Sequence, residues 1–265
     1  MKHTRNPVPD RHAPSVFPEL APVRQEENIQ DSPPRRRRIS TKIISLKEAR
    51  SDRPKEQGDA RATTLSFTNM DAYGGLLVRY LKARKTVFID RLKWDLPQTE
   101  GMEFDQYDTP LCRWVIIHEY GEILAGIRLV PTTAQCGTYS YMLRDAQQGK
   151  LHDIPTDVLF FDAPVDKYMW EASRLFVSEE VPAHRRSYIQ YMLMMEMSRA
   201  ANAEGARHVI GIVPAVFSRW LRRLGMYAVP VGRRFEIDGI ASQAALFNVA
   251  ELVARDKADR DRQAG

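Results

Sequence analysis

The sequence is poor in cysteine and histidine, with two Cys and six His in 265 residues. Neither Cys112 nor Cys136 lies in a C-x-x-C pair or has a histidine spaced to join it, which argues against a disulfide framework and a structural zinc site. No run of about 18 apolar residues occurs, so no membrane-spanning helix is expected. The N-terminal stretch MKHTRNPVPDRHAPSVF carries charge but no apolar core, unlike a secretory signal. Together these absences predict a cytoplasmic protein without a metal or cofactor. Internal repeats are also absent.

Basic charge is present, but unevenly. The formal net charge is +5 and the pI is about 9.2. Residues 1–61 hold 14 of the 39 Lys and Arg and 9 of the 34 Asp and Glu, leaving 25 of each sign for the other 204 residues. The same stretch contains eight of the sixteen prolines, includes PPRRRRIS at 33–40, and has no apolar period. Residues 1–62 therefore read as a disordered, basic, Pro-rich arm, with a folded domain over 63–258 and a short disordered tail over 259–265. Arg35 to Arg38 could meet an anionic surface. The neutral folded part argues against a nucleic-acid binder.

From about Leu65 the apolar periodicity begins. Residues 73–92 carry apolar side chains at helical spacing, and 114–119 with 122–130 read as a β-hairpin turning at Tyr120 and Gly121. MWEASRLFV at 169–177 is a further strand. A helix over 184–204 is closed by Gly205, and a strand follows at 208–213. Residues 215–224 form a helix closed by Gly225, 235–238 and 244–249 are closing strands, and a short charged helix ends the domain. This order predicts an α/β sandwich whose mixed sheet is covered by helices.

Four stretches set ionisable groups among apolar or aromatic residues: ARKTVFIDRLKW (83–94), EFDQYD (103–108), AGIRLVPTT (125–133) and WEASRLFV (170–177). Arg128 sits inside an apolar strand, where a cation needs a carboxylate close by. Asp105, Asp108 and Glu171 are the candidate partners, and Arg84, Arg128 and Arg174 would balance these three acids. Glu171 and Arg174 pose a further problem, because with a period of two they point to opposite faces. A β-bulge between them would bring both to one side.

The ordered set R-x3-F-x5-W, E-x-D-x-x-D, G-x-x-R-L-x-P-T-T and W-E-x-S-R, spelled by Arg84, Phe88, Trp94, Asp105, Asp108, Arg128, Glu171 and Arg174, resembles the acyl-homoserine lactone synthases of quorum sensing over roughly residues 63–255. The resemblance implies a GNAT-like three-layer α/β/α sandwich with a mixed, mostly antiparallel sheet. It implies transfer of a fatty acyl group from acyl carrier protein to the amine of S-adenosyl-L-methionine, a substrate and not a cofactor. Lactone closure would then expel methylthioadenosine. Under it, Glu171, Arg174 and Arg128 are catalytic, with Glu171 as base, and backbone N–H groups at the strand irregularity stabilise the oxyanion. Arg84, Phe88, Trp94, Asp105 and Asp108 bind substrate, Phe88 and Trp94 serving equally well as core.

GNAT enzymes that use acetyl-CoA cradle its pyrophosphate on a glycine-rich loop, whereas AHRRSYIQ (183–190) has no glycine, which favours a carrier-protein donor. Arg185, Arg186, Arg219, Arg222 and Arg223 would meet an acidic carrier. Tyr188, Met192 and Met195 share a helical face that could line an acyl pocket or simply be core. The strand HVIGIVPAV lacks the Thr found in many makers of 3-oxo-acyl products, which points to an unsubstituted or otherwise modified chain. Two other functions stay open: a GNAT N-acyltransferase acting on another amine, and a silent relative that only binds the carrier or S-adenosyl-L-methionine.

Overall fold

The structure, a computed structural model, describes residues 58–223 and 226–264, without the side chains of 218, 219, 223, 259, 263 and 264. The expected arm, Arg35 to Arg38 included, thus lies outside the described residues except for its last few. Gly225, expected to close a helix, also lies outside them.

The chain runs β1 (Arg61–Leu65), α1 (Leu76–Arg84, widening into a π-helical turn over Lys85–Arg91), β2 (Gln98–Thr99), β3 (Met102–Glu103), β4 (Arg113–Glu119), β5 (Glu122–Pro131), α2 (Met142–Gln147), β6 (Met169–Val177), α3 (Ala183–Ala203), β7 (His208–Pro214), α4 (Phe217–Arg223), β8 (Ala228–Ile237), β9 (Ile240–Asn248) and α5 (Val249–Ala264). Seven strands form one sheet in the order β1-β4-β5-β6-β7-β9-β8, and β2 pairs with β3 apart from it. Every pairing in the large sheet is antiparallel except that of β6 with β7. The mixed, mostly antiparallel sheet is the one expected.

Local sequence explains the joints. The β4–β5 hairpin turns through Tyr120 at φ 50° and Gly121 at φ 89°, the positive values that a tight two-residue hairpin requires. Helix α3 stops where Gly205 takes φ 85°, its N–H donating to the Asn202 carbonyl. Helix α1 and its π turn pack on the face of the sheet that carries Gly126 and Arg128. A Cβ on Gly126 would overlap the buried Tyr80 ring, so only glycine admits α1 this closely. Helix α3 lies across β1, β4, β5 and β6 and against α5, covering the opposite face.

The sequence pattern does not announce β2, β3 or α2, and three further elements have bounds other than the expected ones. Strand β1 starts at Arg61, inside the stretch that reads as arm, because its RATTL sequence is half polar and only Leu65 is fully buried. Helix α5 continues to Ala264 through the expected tail. Ion pairs support it: Arg255 with Glu251, Arg260 with Asp256, and Arg199 of α3 with Asp256. Strand β8 begins at Ala228 instead of Phe235. Pro230 and a register shift between Pro230 and Arg234 obscure it in the sequence, and both are tolerated because β8 is an edge strand.

Candidate active site

The site is built where β6 changes partners. Against β5, Arg128 is opposite Ser173 and Gly126 is opposite Phe176, so β6 carries one residue more than β5 between these points. The bulge is taken up at Arg174, which adopts φ 56°. Against β7, pairing runs only from Met169↔His208 to Ala172↔Gly211, where the backbones approach so closely that a Cβ on Gly211 would meet the Ala172 carbonyl oxygen at 2.5 Å. Beyond that point β6 and β7 part. The β6 edge from Ser173 to Val177 has no β7 partner among the described residues.

The bulge turns Arg174 toward the acidic loop after β3. Arg174 donates to Glu103 (3.0 Å) and Asp105 (2.8 Å). Arg128 donates to Asp105 (2.5 Å) and to Ser173 Oγ (3.2 Å) and is paired with Asp108 (2.9 Å). Arg84 grips Asp108 through two nitrogens at 2.7 and 3.0 Å and is also paired with Glu103. Trp114 Nε1 donates to Asp108 at 2.9 Å, and the Asp105 N–H donates to the same carboxylate at 3.0 Å. The expected three-against-three network exists, but its third acid is Glu103 and not Glu171. Glu103 is the E of the E-x-D-x-x-D spelling, so the signal was in the sequence. Only the β2–β3 hairpin shows that its side chain turns inward.

Desolvation is compensated pair by pair. Burial alone would raise the Asp105 and Asp108 carboxyls, but Arg128 with Arg174, and Arg128 with Arg84, hold the two below the ordinary carboxylate range. Arg84 and Arg128 have no exposed side-chain surface, whereas Arg174 retains 9%. Arg84 and Arg128 therefore order the acidic loop from behind, and Arg174 stands at the rim.

Glu171 shares the sheet face of Arg128, since Val130 is opposite Glu171 and Ser173 is opposite Arg128. Its carboxylate accepts the N–H groups of Met142 (2.9 Å) and Leu143 (2.7 Å) at the start of α2. Burial pushes its pKa up to about 7, a rise that the two N–H groups and the Arg128 charge only moderate. A carboxylate poised near neutrality is suited to accepting a proton.

Phe88 is buried, stacks on Trp94 (5.0 Å) and meets Phe176 edge-on (6.0 Å), while the Arg174 guanidinium lies 5.7 Å from its ring centre. Phe88 is thus core and Trp94 is half-buried beside it. The buried Trp94 Nε1 and Tyr80 hydroxyl have no protein partner among the described residues. Of the basic residues expected to dock a carrier, Arg185 pairs with Glu119 (2.9 Å), Arg186 donates to the Glu179 carbonyl (2.8 Å), and Arg222 is exposed. The side chains of Arg219 and Arg223 lie outside the described residues. Of the face formed by Tyr188, Met192 and Met195, only Met195 is fully buried. Cys112 is buried and Cys136 exposed, both free. Among the described residues no cluster of His, Cys, Asp or Glu could hold a metal, and no helix is long and apolar enough to cross a membrane.

Comparison with known proteins converges on one family. The family model described as "Autoinducer synthase" matches residues 77–252. An acyl-homoserine-lactone synthase of Aeromonas hydrophila is 29% identical over 177 residues, covering 65% of this chain and 80% of that protein. One from Pseudomonas amygdali pv. tabaci is 32% identical over 168 residues, covering 60% and 66%. The crystal structure of TofI in a ternary complex with an inhibitor and MTA superposes with a TM-score of 0.57 at 26% identity, covering 71% of this chain and 91% of that one. The acyl-homoserine lactone synthase LasI, at 20% identity and a TM-score of 0.58, shares the fold over 72% of this chain and 91% of its own. With its splayed sheet and its buried Arg–Asp–Glu network, the chain belongs to the autoinducer synthase family.

Proposed function

We infer that the protein is an acyl-homoserine-lactone synthase that joins a fatty acyl thioester to the amine of S-adenosyl-L-methionine and closes the lactone. The observation that carries this is the unpaired edge of β6, Ser173 to Val177, set beside a buried carboxylate with a pKa of about 7. A thioester lying along that edge presents its carbonyl to the backbone N–H groups at the bulge, which stabilise the developing oxyanion. The amine nitrogen attacks the carbonyl carbon. The C–S bond breaks, and the proton lost by the amine passes to Glu171, directly or through a water, and on to the leaving thiolate. Although Glu171 accepts two N–H groups, each of its oxygens has a second lone pair for this transfer. The homoserine carboxylate then attacks its own γ-carbon, the sulfonium C–S bond breaks, and methylthioadenosine leaves neutral.

Arg174, at the rim, faces the substrate carboxylate. Arg128 and Arg84 hold Asp105, Asp108 and Glu103 as a rigid acidic wall for the ammonium and sulfonium, and Trp94 closes the site. The donor we propose is acyl carrier protein. BjaI, a fold relative at 21% identity, is a CoA-dependent acyl-homoserine lactone synthase. In this chain the loop 178–182 entering α3 reads SEEVP, with two acids and no glycine, a poor cradle for a pyrophosphate. Exposed Arg222 suits an acidic carrier. Both substrates are made in the cytoplasm, where the reaction is placed.

The purified chain, incubated with S-adenosyl-L-methionine and acyl carrier protein thioesters of several chain lengths, should yield acyl-homoserine lactone and methylthioadenosine in equal amounts by mass spectrometry. An N-acyl product without lactone, or acylation of a different amine, would replace this reading with that of a general N-acyltransferase.

A further inference from the structure

Helix α2 is too short to place itself. It has 6 residues, and an isolated helix of that length is unstable in water. Yet its first turn supplies both N–H groups that Glu171 accepts, so whatever holds α2 also sets the surroundings of that carboxylate. Asp145, within the helix, has the contacts to do so. Its side chain is fully buried and both of its oxygens are engaged. Oδ2 accepts the Ser140 N–H (3.0 Å) and the Tyr107 hydroxyl (3.1 Å), while Oδ1 pairs with Lys150 Nζ (3.2 Å). The Lys150 ammonium donates in turn to the Thr138 carbonyl, and the Lys150 N–H donates to the Asp145 carbonyl (2.9 Å). A single carboxylate thus fastens both ends of the segment 138–150.

The Tyr107 link ties this segment to the Arg–Asp–Glu network. Tyr107 lies between Asp105 and Asp108, its backbone N–H donates to Asp105 (2.8 Å), and the Arg128 guanidinium is 5.6 Å from its ring centre. Burial first, and the Asp145 carboxylate second, keep its hydroxyl protonated far above the ordinary phenol range, which makes it the donor to Asp145. Facing Glu171 are Arg128 of β5, Asp105 and Tyr107 of the acidic loop, and Tyr141 at the entry to α2.

We propose that Asp145 is a positioning residue for Glu171, clamping the first turn of α2 to the acidic loop so that the Met142 and Leu143 N–H groups bracket the carboxylate. The proposal rests on Glu171 being the base inferred above and adds the group that fixes its surroundings. N–H donors favour the charged carboxylate, so losing one raises the pH at which Glu171 takes up its proton, by about one to two units. Removing a nearby negative charge acts in the opposite sense. The sign of the shift therefore separates a clamp from a mere charge.

The test follows Glu171 itself, by carboxyl-carbon NMR titration of protein isotopically labelled at glutamate Cδ, with the resonance identified by its loss in Glu171→Gln. Asp145→Ala removes every side-chain link, and the Glu171 midpoint should rise by about one to two units. Asp145→Asn keeps an oxygen for Ser140 and Tyr107 and should show no rise. Tyr107→Phe alters no charge, should give a smaller rise, and replaces Asp145→Ala should that variant fold poorly. In turnover, kcat of Asp145→Ala at pH 7 should fall roughly five- to fiftyfold, recover as the pH is raised, and leave KM for both substrates within about twofold. Unchanged midpoints with a lowered melting temperature overturn the assignment and leave Asp145 a stabiliser of its loop. A fall in midpoint common to Asp145→Ala and Asp145→Asn overturns it as well, leaving only a neighbouring charge. Because the titration needs no turnover, a wild-type protein that makes no lactone refutes the proposed function, while the midpoints still decide the clamp.

Discussion

Replacing Glu171 with Gln separates a base from a structural anchor, because the structure assigns the carboxylate two kinds of work. The Met142 and Leu143 N–H groups hold it against α2, and burial lifts its pKa from an ordinary 4.5 to about 7. That rise corresponds to roughly 3 kcal/mol. Its sign is fixed by linkage. Between about pH 4.5 and 7 the folded state binds a proton at Glu171 that the unfolded state has lost, so stability declines as pH rises through this window and levels off above it. The amide that replaces the carboxyl in the variant cannot titrate, so the variant's stability lacks this decline. The difference between wild type and Glu171→Gln should therefore shift toward the variant by up to about 3 kcal/mol from pH 5 to pH 8. One N–H of α2 left facing the new amide nitrogen offsets the comparison by about 1–3 kcal/mol at every pH. Urea unfolding at four pH values measures the shift. For activity, the wild-type rate should climb to a plateau with a midpoint near 7, and the variant should fall by roughly 10²–10⁴-fold in kcat. Its loss should shrink at high pH, where more of the substrate amine is free. A pH-independent stability difference would refute the raised pKa. Near-normal kcat at neutral pH would refute Glu171 as base and leave it as the anchor of α2.

Glu103→Gln removes an acid shared by Arg84 and Arg174 and should cost about 3–5 kcal/mol in chemical denaturation, as breaking a buried ion pair does; a loss below about 1 kcal/mol would show the network to be loosely held. Gly126→Ala drives a methyl into Tyr80, which stacks on Phe176 and lies under Arg84. It should destabilise by about 1–3 kcal/mol and lower kcat, and an unchanged melting temperature would refute the close approach of α1. Deleting residues 1–57, which spares β1, should leave turnover with saturating donor within a few-fold of the full chain. Complete loss with the fold intact would give the arm a role in the chemistry.

Much of this protein was legible in the sequence, and the missing parts have physical causes. Periodicity placed β4, β5, β6, α3 and β7, because each buries a regular stripe that water would otherwise meet. The need of a buried Arg128 for acids announced the network, and the phase mismatch between Glu171 and Arg174 announced the bulge. Elements held by few apolar contacts escaped. The half-polar β1 is recognisable only beside β4, the last turns of the expected α5 are secured by ion pairs, and β8 is interrupted by a proline that an edge permits. Charge partners are a matter of distance, which composition does not contain. Nothing local distinguishes Glu103 from Glu171 as the third acid, or shows that Glu171 meets the start of α2 across 28 residues of chain. Gln190 is the extreme case. In sequence it is one more polar residue on a helix, and only the packing of α3 leaves its amide buried and without a partner among the described residues.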